Sequence, residues 1–473
     1  MEKKKRKLKS GAVKILKNIL SIVLVLITVI FLISLKNLNV LPDKYFNLVL
    51  IAEIVIMLLG IVLYNLKNKV VSIIGIILMI LLLVANSFGI YYVNTTKKFI
   101  KKGFSDTIKT SKEYYVITSK NNSSKLSHGS KVNYYKYSEN IDEAEKKLGN
   151  YNYTEITDLY TKMTEILLSN EYILVDKNNY KSAFEIVNTL KEDNYKIVKK
   201  IKIEKEEKKN NEVVDSYNIY VGGRDFTGSL MDFNMLLTVN NNSKKVLVTS
   251  IPRDYYMNVH GYGMKDSLEF MGLLGDGVNE RSLEDLLGIK INYSAHIYTQ
   301  NLVDVVDKIG GVEFCSDRAF TTTHALVVNT YNDSKGKKLY IKKGCQTLNG
   351  IEALTVSRER LAVGSDRQRQ ANCRQLALNI AKKVISTSTL SNYSSVLNSF
   401  NGLYTTDMNE KVATNLLKNI ISNGGYTVEE QSLDGSDSSG MIRLGTVRSY
   451  IMQPYAESVT NNASKINEVL NEK

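Results

Sequence analysis

Three long apolar stretches near the N-terminus are the clearest pattern of hydrophobic and polar positions in the chain. They cover residues 19–35, 45–66 and 70–93, and each approaches the roughly 20 residues that a helix needs to cross a bilayer. The pattern predicts three transmembrane helices over residues 19–93. A cleaved signal peptide is the alternative for the first stretch, but no small-residue cleavage site follows it and two further stretches do.

Glu53 lies inside the second apolar stretch. An ionisable residue within a membrane span is a candidate functional residue. Because Glu53 is near the start of its stretch, a side chain that snorkels to the surface, or a carboxylate hydrogen-bonded between helices, explains it at least as well. The sequence leaves these interpretations open.

Basic residues cluster at the same end of the chain. The net charge of the 473 residues is +14, and residues 1–102 hold sixteen Lys and Arg against three acidic residues. The rest of the chain is almost neutral, which argues against a nucleic-acid partner. Eight basic residues precede the first stretch and four follow the third, at 97–102. The positive-inside rule therefore predicts a cytoplasmic basic tail over residues 1–18, with everything after the third helix outside the cytoplasm.

Residues 104–211 predict a small α/β accessory domain without a catalytic group of residues. Helical patterns occur in "IDEAEKKLGN" and "ITDLYTKMTEILLSN", and short strand patterns in "EYYVITSK" and "EYILVDK". The region ends in "KIEKEEKKNNE", residues 202–212. We interpret this charged run as a solvated linker.

From residue 213 onward, strand and helix patterns alternate. Strands are predicted in "YNIYVGG", "FNMLLTVN", "KKVLVTSI" and "INYSAHIY", and "NNNS" at 240–243 makes the second and third a hairpin. Helices are predicted in "SLEDLLG" and "NLVDVVDKIGG", with stops at Gly288 and Gly310. The expected fold of residues 213–473 is an α/β sandwich, a mixed β-sheet between helices.

Two aspartates and one arginine are placed at strand ends. Asp225 follows the first predicted strand and Asp232 opens the next, so their carboxylates should converge at one edge. Paired carboxylates suit a hard cation such as Mg²⁺, whereas the four histidines have no metal-ligand spacing. Arg253 follows Pro252, which ends the third strand.

Four more arginines follow in two motifs. Arg358 and Arg360 of "LTVSRERLAV" share a face only if the backbone there is extended. Arg367 and Arg369 lie near the start of a helix predicted from "SDRQRQ", where the helix dipole also favours an anion. Arginine is the side chain suited to bidentate phosphate contacts.

Cysteine usage agrees with export. Cys315 and Cys345 flank a polar segment, and a disulfide closing a loop of about 30 residues stabilises a fold by roughly 3–4 kcal/mol. Cys373 is left as the odd thiol. The alternative is three reduced, buried cysteines.

The succession of these segments resembles the LytR-CpsA-Psr family of membrane-anchored phosphotransferases in Gram-positive cell-wall assembly. The resemblance covers residues 213–383 closely. It rests on "GGRD", "DFNMLLTVN", "VLVTSIPRD", "MKDSL", "LEDLLGIKINY", "VVDKIGGVEF", "LNGIEALTVSRER" and "DRQRQ". Of these, "SIPRD" and the pairing of "RER" with "DRQR" are the most specific.

The resemblance implies a reaction and a set of roles. Such proteins move a glycan phosphate from a polyprenyl-pyrophosphate carrier onto a cell-wall (peptidoglycan) hydroxyl, attaching polymers of the capsule or teichoic-acid type. Asp225 and Asp232 would hold Mg²⁺, and the isoprenoid tail would enter an apolar slot between sheet and helices. The pyrophosphate would be bound by basic residues of the motifs: Arg253, Lys265, Arg358, Arg360, Arg367 and Arg369.

The sequence also departs from the family pattern. Leu230 stands where an arginine is usual, and Cys373 stands where a glutamine is common. These changes keep a second function open, a catalytically silent binder of polyprenyl pyrophosphate or a cell-envelope regulator. A transcriptional regulator is a third, but no helix-turn-helix pattern occurs and the basic segment lies at the membrane.

Overall fold

The computed structural model describes most of the chain. It covers residues 2–473 apart from 139, 187–188, 210–211, 226–227, 229, 276, 299–301, 326–337, 385–392, 401, 424, 444 and 446. Much of the polar segment between Cys315 and Cys345 lies outside the described residues.

Three long helices form the N-terminal region: α1 (Glu2–Leu38), α2 (Asp43–Asn65) and α3 (Lys69–Gly103). All three are long and apolar enough to cross a membrane, as the sequence predicts. The basic tail is the start of α1, and α3 continues ten residues beyond the predicted end of its span, residue 93.

Polar side chains connect the three helices inside the apolar region. Asn86 Nδ2 donates to Thr28 Oγ1 at 2.9 Å and to Glu53 Oε2 at 3.1 Å. Of the interpretations of Glu53, the structure therefore favours a carboxylate hydrogen-bonded between helices.

The described residues of the accessory domain form five strands and three α-helices. They are β1 (Thr107–Ser119), β2 (Lys131–Tyr135), α4 (Ile141–Leu148), β3 (Asn152–Ile156), α5 (Leu159–Glu165), β4 (Tyr172–Asp176), α6 (Lys177–Ile186) and β5 (Tyr195–Lys208). The sheet order is β3-β2-β4-β1-β5.

The interpretation of residues 202–212 as a linker was wrong for residues 202–208. Residues up to Lys208 belong to β5, which pairs antiparallel with the whole of β1. Ile201 and Ile203 are buried within this strand, while Lys202 and Glu204 are exposed. The charged run thus conceals a strand alternation in which one face packs into the domain.

The remaining residues form the C-terminal domain. Its first half contains β6 (Ser216–Arg224), β7 (Met231–Asn240), β8 (Lys245–Ile251), β9 (Tyr256–Asn258), β10 (Lys265–Ser267), α7 (Leu268–Met271), α8 (Val278–Leu287), β11 (Tyr293–Tyr298), α9 (Leu302–Lys308), β12 (Val312–Ser316), β13 (Phe320–Ala325), β14 (Lys338–Ile341) and β15 (Gly344–Leu348). Its second half contains α10 (Gly350–Arg358), α11 (Asp366–Val384), α12 (Tyr393–Ser399), β16 (Tyr404–Thr406), α13 (Glu410–Asn423), β17 (Thr427–Ser432), β18 (Gly435–Ile442), β19 (Val447–Pro454) and α14 (Ala456–Asn471).

A mixed six-stranded sheet organises this domain, with the order β16-β11-β6-β7-β8-β17. β6, β7 and β8 are antiparallel neighbours, and β11 and β17 run parallel to β6 and β8. Leu236 and Leu247 belong to a core with Leu283 of α8 and Ile466 of α14, whereas other sheet residues pack against Leu378 of α11. The expected sandwich is confirmed.

Details of the predicted elements are also confirmed. The strands β7 and β8 form the expected hairpin. Helix α8 ends at Gly288 with φ +63°, and Gly310 follows α9 with φ +76°. These left-handed conformations favour glycine, which explains why both helices stop there.

The accessory domain packs against the C-terminal domain. The Tyr137 and Tyr262 ring centroids are 5.0 Å apart, and one apolar cluster contains buried residues of both domains. The two domains therefore share a packed interface.

Cys315 and Cys345 form a disulfide, and Cys373 is a thiol. The two bonded residues face each other on the paired strands β12 and β15. The bridge closes the segment that contains β13 and β14.

Candidate functional site

Arg253 lies just beyond β8 and is the centre of a buried charge cluster. Its side chain is 16% exposed. Arg253 Nη1 lies 2.5 Å from Asp232 Oδ1 and 3.2 Å from Glu269 Oε1. Its Nε lies 3.4 Å from Asp366 Oδ1 and 3.9 Å from Asp254 Oδ2. Four carboxylates from separate parts of the sequence thus surround one guanidinium.

A second guanidinium, Arg369 of α11, joins the same cluster. Its Nε lies 2.9 Å from Asp366 Oδ1, and its Nη2 donates to the backbone oxygen of Asp232 at 2.9 Å. Burial alone would raise the pKa of Asp366, but Arg369 and Arg253 outweigh it and lower this pKa to about 2. Asp366 is therefore a fixed anion that holds both arginines.

Two other carboxylates of the cluster are shifted the opposite way. Burial raises the pKa of Glu269 to about 7, against the opposing effect of Arg253. Burial also raises the pKa of Asp254, although Arg253 again opposes it. These two carboxyl groups take up a proton more readily than ordinary carboxylates.

The two aspartates expected to hold Mg²⁺ lie at the same end of β6 and β7. Asp225 follows β6 and is buried, and its Oδ1 accepts the backbone N–H of Leu230 at 3.0 Å. Asp232 is the second residue of β7, and the first, Met231, pairs in the sheet with Arg224, the last residue of β6. Among the described residues, no group of three or more His, Cys, Asp or Glu is arranged to hold a metal. Mg²⁺ commonly takes only one or two carboxylates and completes its shell with water and phosphate, so two aspartates are chemically sufficient, and Mg²⁺ binding by this pair stays a prediction.

Arg358 and Arg360 lie on either side of the end of α10. The helix begins with a capping box between Asn349 and Glu352 and ends at Arg358, and Glu359 after it is extended, with φ −71° and ψ 120°. Glu359 is buried and accepts three hydrogen bonds from other residues. A shared face for the two arginines stays a prediction.

Arg360 reaches the charge cluster, whereas Arg367 and Lys265, two of the other predicted phosphate ligands, are placed differently. Arg360 Nε lies 3.7 Å from Asp366 Oδ1, and the side chain is 45% exposed. Arg367 is 51% exposed, and its Nη2 lies 2.9 Å from Asp434 Oδ1. Lys265 is exposed on β10 and pairs with Asn258, five residues along the chain from Arg253.

An open pocket of about 280 Å³ lies beside the cluster. Its wall combines the motif residues with the C-terminal hairpin of β18 and β19. It is lined by Pro252, Asp254, Arg360, Leu361, Gly364, Ser365, Asp366, Arg367, Gln370, Asp437, Tyr450 and Met452. The apolar slot for an isoprenoid tail stays a prediction.

Sequence reasoning missed several members of this site. Glu269 follows "MKDSL", and Asp366 opens the "DRQRQ" motif, so both lay next to recognised segments. Asp437 and Tyr450 lie in a serine- and glycine-rich stretch with no strong strand pattern. Only the fold brings that stretch to the pocket.

The departures from the family pattern have simple local explanations. Leu230 packs with Phe270 and Leu273 in an apolar cluster. The Cys373 thiol donates to the backbone oxygen of Ser357 at 3.1 Å, and burial raises its pKa to about 11. Both residues satisfy local packing without supplying a charge to the site.

Comparisons with known proteins agree with these motifs. The model of the LytR_cpsA_psr family matches residues 177–465. A relative from Bacillus mycoides, named polyisoprenyl-teichoic acid–peptidoglycan teichoic acid transferase TagU, is 28% identical over 190 residues, covering 40% of this chain and 58% of the relative. The corresponding TagT of Bacillus subtilis is 30% identical over 131 residues, covering 28% of this chain and 39% of the relative. The matches thus span about half the length of these relatives.

Solved structures of similar proteins were also found. The crystal structure of Bacillus subtilis TagV has a TM-score of 0.44 and 21% identity, and the match covers 55% of this chain and 98% of TagV. The crystal structure of Bacillus subtilis TagT has a TM-score of 0.41 and 24% identity, covering 54% and 91%. The family match alone spans well over half of the sequence, and on that basis this chain belongs to the LytR_cpsA_psr family.

Proposed function

We propose that this chain moves a glycan phosphate from a polyprenyl-pyrophosphate carrier onto a peptidoglycan hydroxyl, attaching a polymer of the teichoic-acid or capsule type. Membership of the family and the names of the two Bacillus transferases support this reaction. One observation carries the proposal. Arg253 and Arg369 are held by Asp232 and Asp366 beside an open pocket that Arg360 lines.

Fixed guanidiniums are what phosphoryl transfer requires from a protein. Little covalent work falls to side chains in this chemistry, and positioned cations stabilise the charge on the phosphates. Carboxylates neutralise Arg253 in the protein without substrate. An entering pyrophosphate would share these arginines, and Arg360 at the mouth would make its first contact.

The transfer step exchanges the phosphoanhydride bond of the carrier for a new phosphate ester bond. The acceptor hydroxyl oxygen forms a bond to the glycan-linked phosphorus, and the bond from that phosphorus to the bridging oxygen breaks, so polyprenyl phosphate leaves. Of the pocket carboxylates, Asp366 is a poor base because its pKa is held at about 2. Asp254 lines the pocket and has a raised pKa, so we assign it as acceptor of the hydroxyl proton.

Asp225 and Asp232 would hold Mg²⁺ in this proposal. When bound, the ion would neutralise negative charge on the pyrophosphate. Asp232 also accepts a hydrogen bond from Arg253, so the same carboxylate would orient one arginine.

The proposal places both folded domains outside the cytoplasm, where peptidoglycan lies. The three apolar helices and the basic start of α1 support this orientation. A reporter enzyme fused after Lys473 should be active only outside the cytoplasm. A cytoplasmic signal would contradict the orientation.

A silent binder of polyprenyl pyrophosphate is the second candidate. Leu230 and Cys373 favour it, because neither supplies a polar contact to phosphate at the position where the family usually has one. Such a protein would bind the carrier through the arginines and transfer nothing.

Release of polyprenyl phosphate separates the two candidates. The full chain in detergent is supplied with a polyprenyl-pyrophosphate glycan, a peptidoglycan fragment and Mg²⁺. We expect release that stops when Mg²⁺ is chelated and resumes when it is added back. Tight binding of the carrier without release across several glycans would instead establish the silent binder.

A further inference from the structure

The C-terminal hairpin of β18 and β19 is fastened to both recognised motifs. The Met452 N–H donates to the backbone oxygen of Asp254 at 2.8 Å. On the other strand, Arg367 Nη2 donates to the backbone oxygen of Gly435 at 2.7 Å. A Cβ at Gly435 would overlap the backbone oxygen of Gln453, so glycine permits the close approach of the strands. The hairpin is therefore a fixed wall of the pocket.

Tyr450 presents an aromatic ring on this wall. Its hydroxyl donates to Asp437 Oδ1 at 2.8 Å, and burial together with this bond raises the pKa of Tyr450 to about 12. The neighbours Ile451 and Met452 are buried and anchor the hairpin in two apolar clusters. Tyr450 is 37% exposed, so its ring is available to the pocket.

The charges of the pocket wall favour a neutral polar ligand over a second phosphate. The wall has three carboxylates and two guanidiniums, from Asp254, Asp366, Asp437, Arg360 and Arg367. Carboxylates only accept hydrogen bonds, and a ligand that satisfies them must donate. The hydroxyl groups of a neutral ligand can donate to these carboxylates.

The size of the pocket sets a further limit. At about 280 Å³ it lies just below the roughly 300–1,000 Å³ of typical small-molecule sites. It therefore takes one segment of a large substrate. A ring-shaped segment with an apolar C–H face and outward hydroxyls matches an aromatic ring flanked by carboxylates.

We propose that Tyr450 and Asp437 form a subsite for a single sugar ring next to the pyrophosphate-binding arginines. The proposal rests on the proposed function, which places a pyrophosphate beside Arg360. The sugar has two sources, the first sugar of the donor glycan or the peptidoglycan sugar that carries the accepting hydroxyl. Either sugar would present hydroxyl groups and an apolar C–H face to the pocket wall.

The test measures binding, so that it does not depend on transfer. Three probes are titrated into the full chain in detergent: polyprenyl pyrophosphate, polyprenyl pyrophosphate carrying one N-acetylglucosamine, and a peptidoglycan oligosaccharide. The variants are Tyr450→Ala and Tyr450→Phe. Tyr455→Ala is the matched control, because Tyr455 is exposed just past the same hairpin but does not line the pocket.

A donor subsite predicts that Tyr450→Ala weakens the sugar-bearing lipid roughly 3- to 10-fold and leaves the sugar-free lipid unchanged. An acceptor subsite predicts the same loss for the oligosaccharide only. Tyr450→Phe should keep most of the binding, since the ring remains. Effects no larger than those of Tyr455→Ala, or equal weakening of both lipids, would overturn the subsite.

The proposed function can fail separately. If the wild-type chain binds the lipids but releases no polyprenyl phosphate, transfer fails while the binding comparison still decides the subsite. If it binds neither lipid, the pyrophosphate site fails, and the oligosaccharide titration alone decides whether Tyr450 holds a sugar.

Discussion

The accessory domain and the C-terminal domain place their charged side chains in opposite environments. In the accessory domain, Lys202 and Glu204 form an ion pair in which the side chains are 58% and 69% exposed. In the C-terminal domain, Arg253, Asp366 and Arg369 are 16%, 10% and 6% exposed. The two domains pack together, so the difference is not one of location in the cell.

The contrast supports the arginine cluster as the place of the proposed chemistry. Taking a charge out of water costs several kcal/mol per ion, and attraction within the cluster only partly offsets this. An exposed pair costs little and contributes about 0–1 kcal/mol. A largely buried cluster of two arginines and four carboxyl groups is thus poor material for stability alone, and the proposed binding of an anionic substrate gives a reason to keep it.

Removing Arg253 should have the largest effect. Arg253→Ala leaves its carboxylate partners without their central cation, and breaking buried pairs typically costs about 3–5 kcal/mol. Unfolding of the full chain can be followed by far-UV circular dichroism, since the sequence has no tryptophan. Arg253→Lys keeps the charge and should recover part of the stability. An unchanged unfolding midpoint in Arg253→Ala would contradict the buried cluster.

Asp366→Asn should have a smaller and pH-dependent effect. Because the pKa of Asp366 is lowered to about 2, its ionised form stabilises the fold above about pH 4, and this contribution is lost as the pH falls through about 2. At pH 7 the variant should lose about 2 kcal/mol. The difference from wild type should shrink on acidification.

The matched control for Asp366 is Asp437→Asn, whose side chain is 74% exposed. Its stability should equal that of wild type. If the loss in Asp366→Asn were the same at pH 3 and pH 7, the loss would come from packing, and the account of Asp366 as an anion held by two arginines would be wrong.

Apolar patterns predicted most strands of the six-stranded sheet. Contacts between side chains that lie far apart in the sequence could not be predicted. The strands β6, β7, β8 and β11 were recognisable because their residues are apolar over lengths typical of strands. Three of the carboxylate partners of Arg253, namely Asp232, Glu269 and Asp366, come from separate segments, and no local pattern brings them together.

Charged and polar strands were the main failure. In β5 the charged residues hid the inward-facing Ile201 and Ile203. In β18 the sequence "GSDSSGMI" has few apolar residues. Its antiparallel pairing with β19 depends on backbone groups and not on an apolar pattern. Such strands become visible only through their partners.

The smallest effect is expected from the exposed pair of the accessory domain. Lys202→Ala removes a side chain that lies in water beside Glu204, where solvent and salt screen the attraction. The unfolding midpoint should not change measurably. A large loss would show that the accessory domain also depends on its charges and would remove the contrast between the domains.

The most direct test of the proposed transferase is to measure carrier binding and transfer on the same variant proteins. Asp232→Ala should abolish release of polyprenyl phosphate but keep much of the carrier binding, because a metal ligand acts mainly when charge moves in the transition state. Arg358→Ala should weaken both, with binding reduced roughly 30- to 1000-fold. Transfer that persists in Asp232→Ala at the wild-type rate would contradict the account.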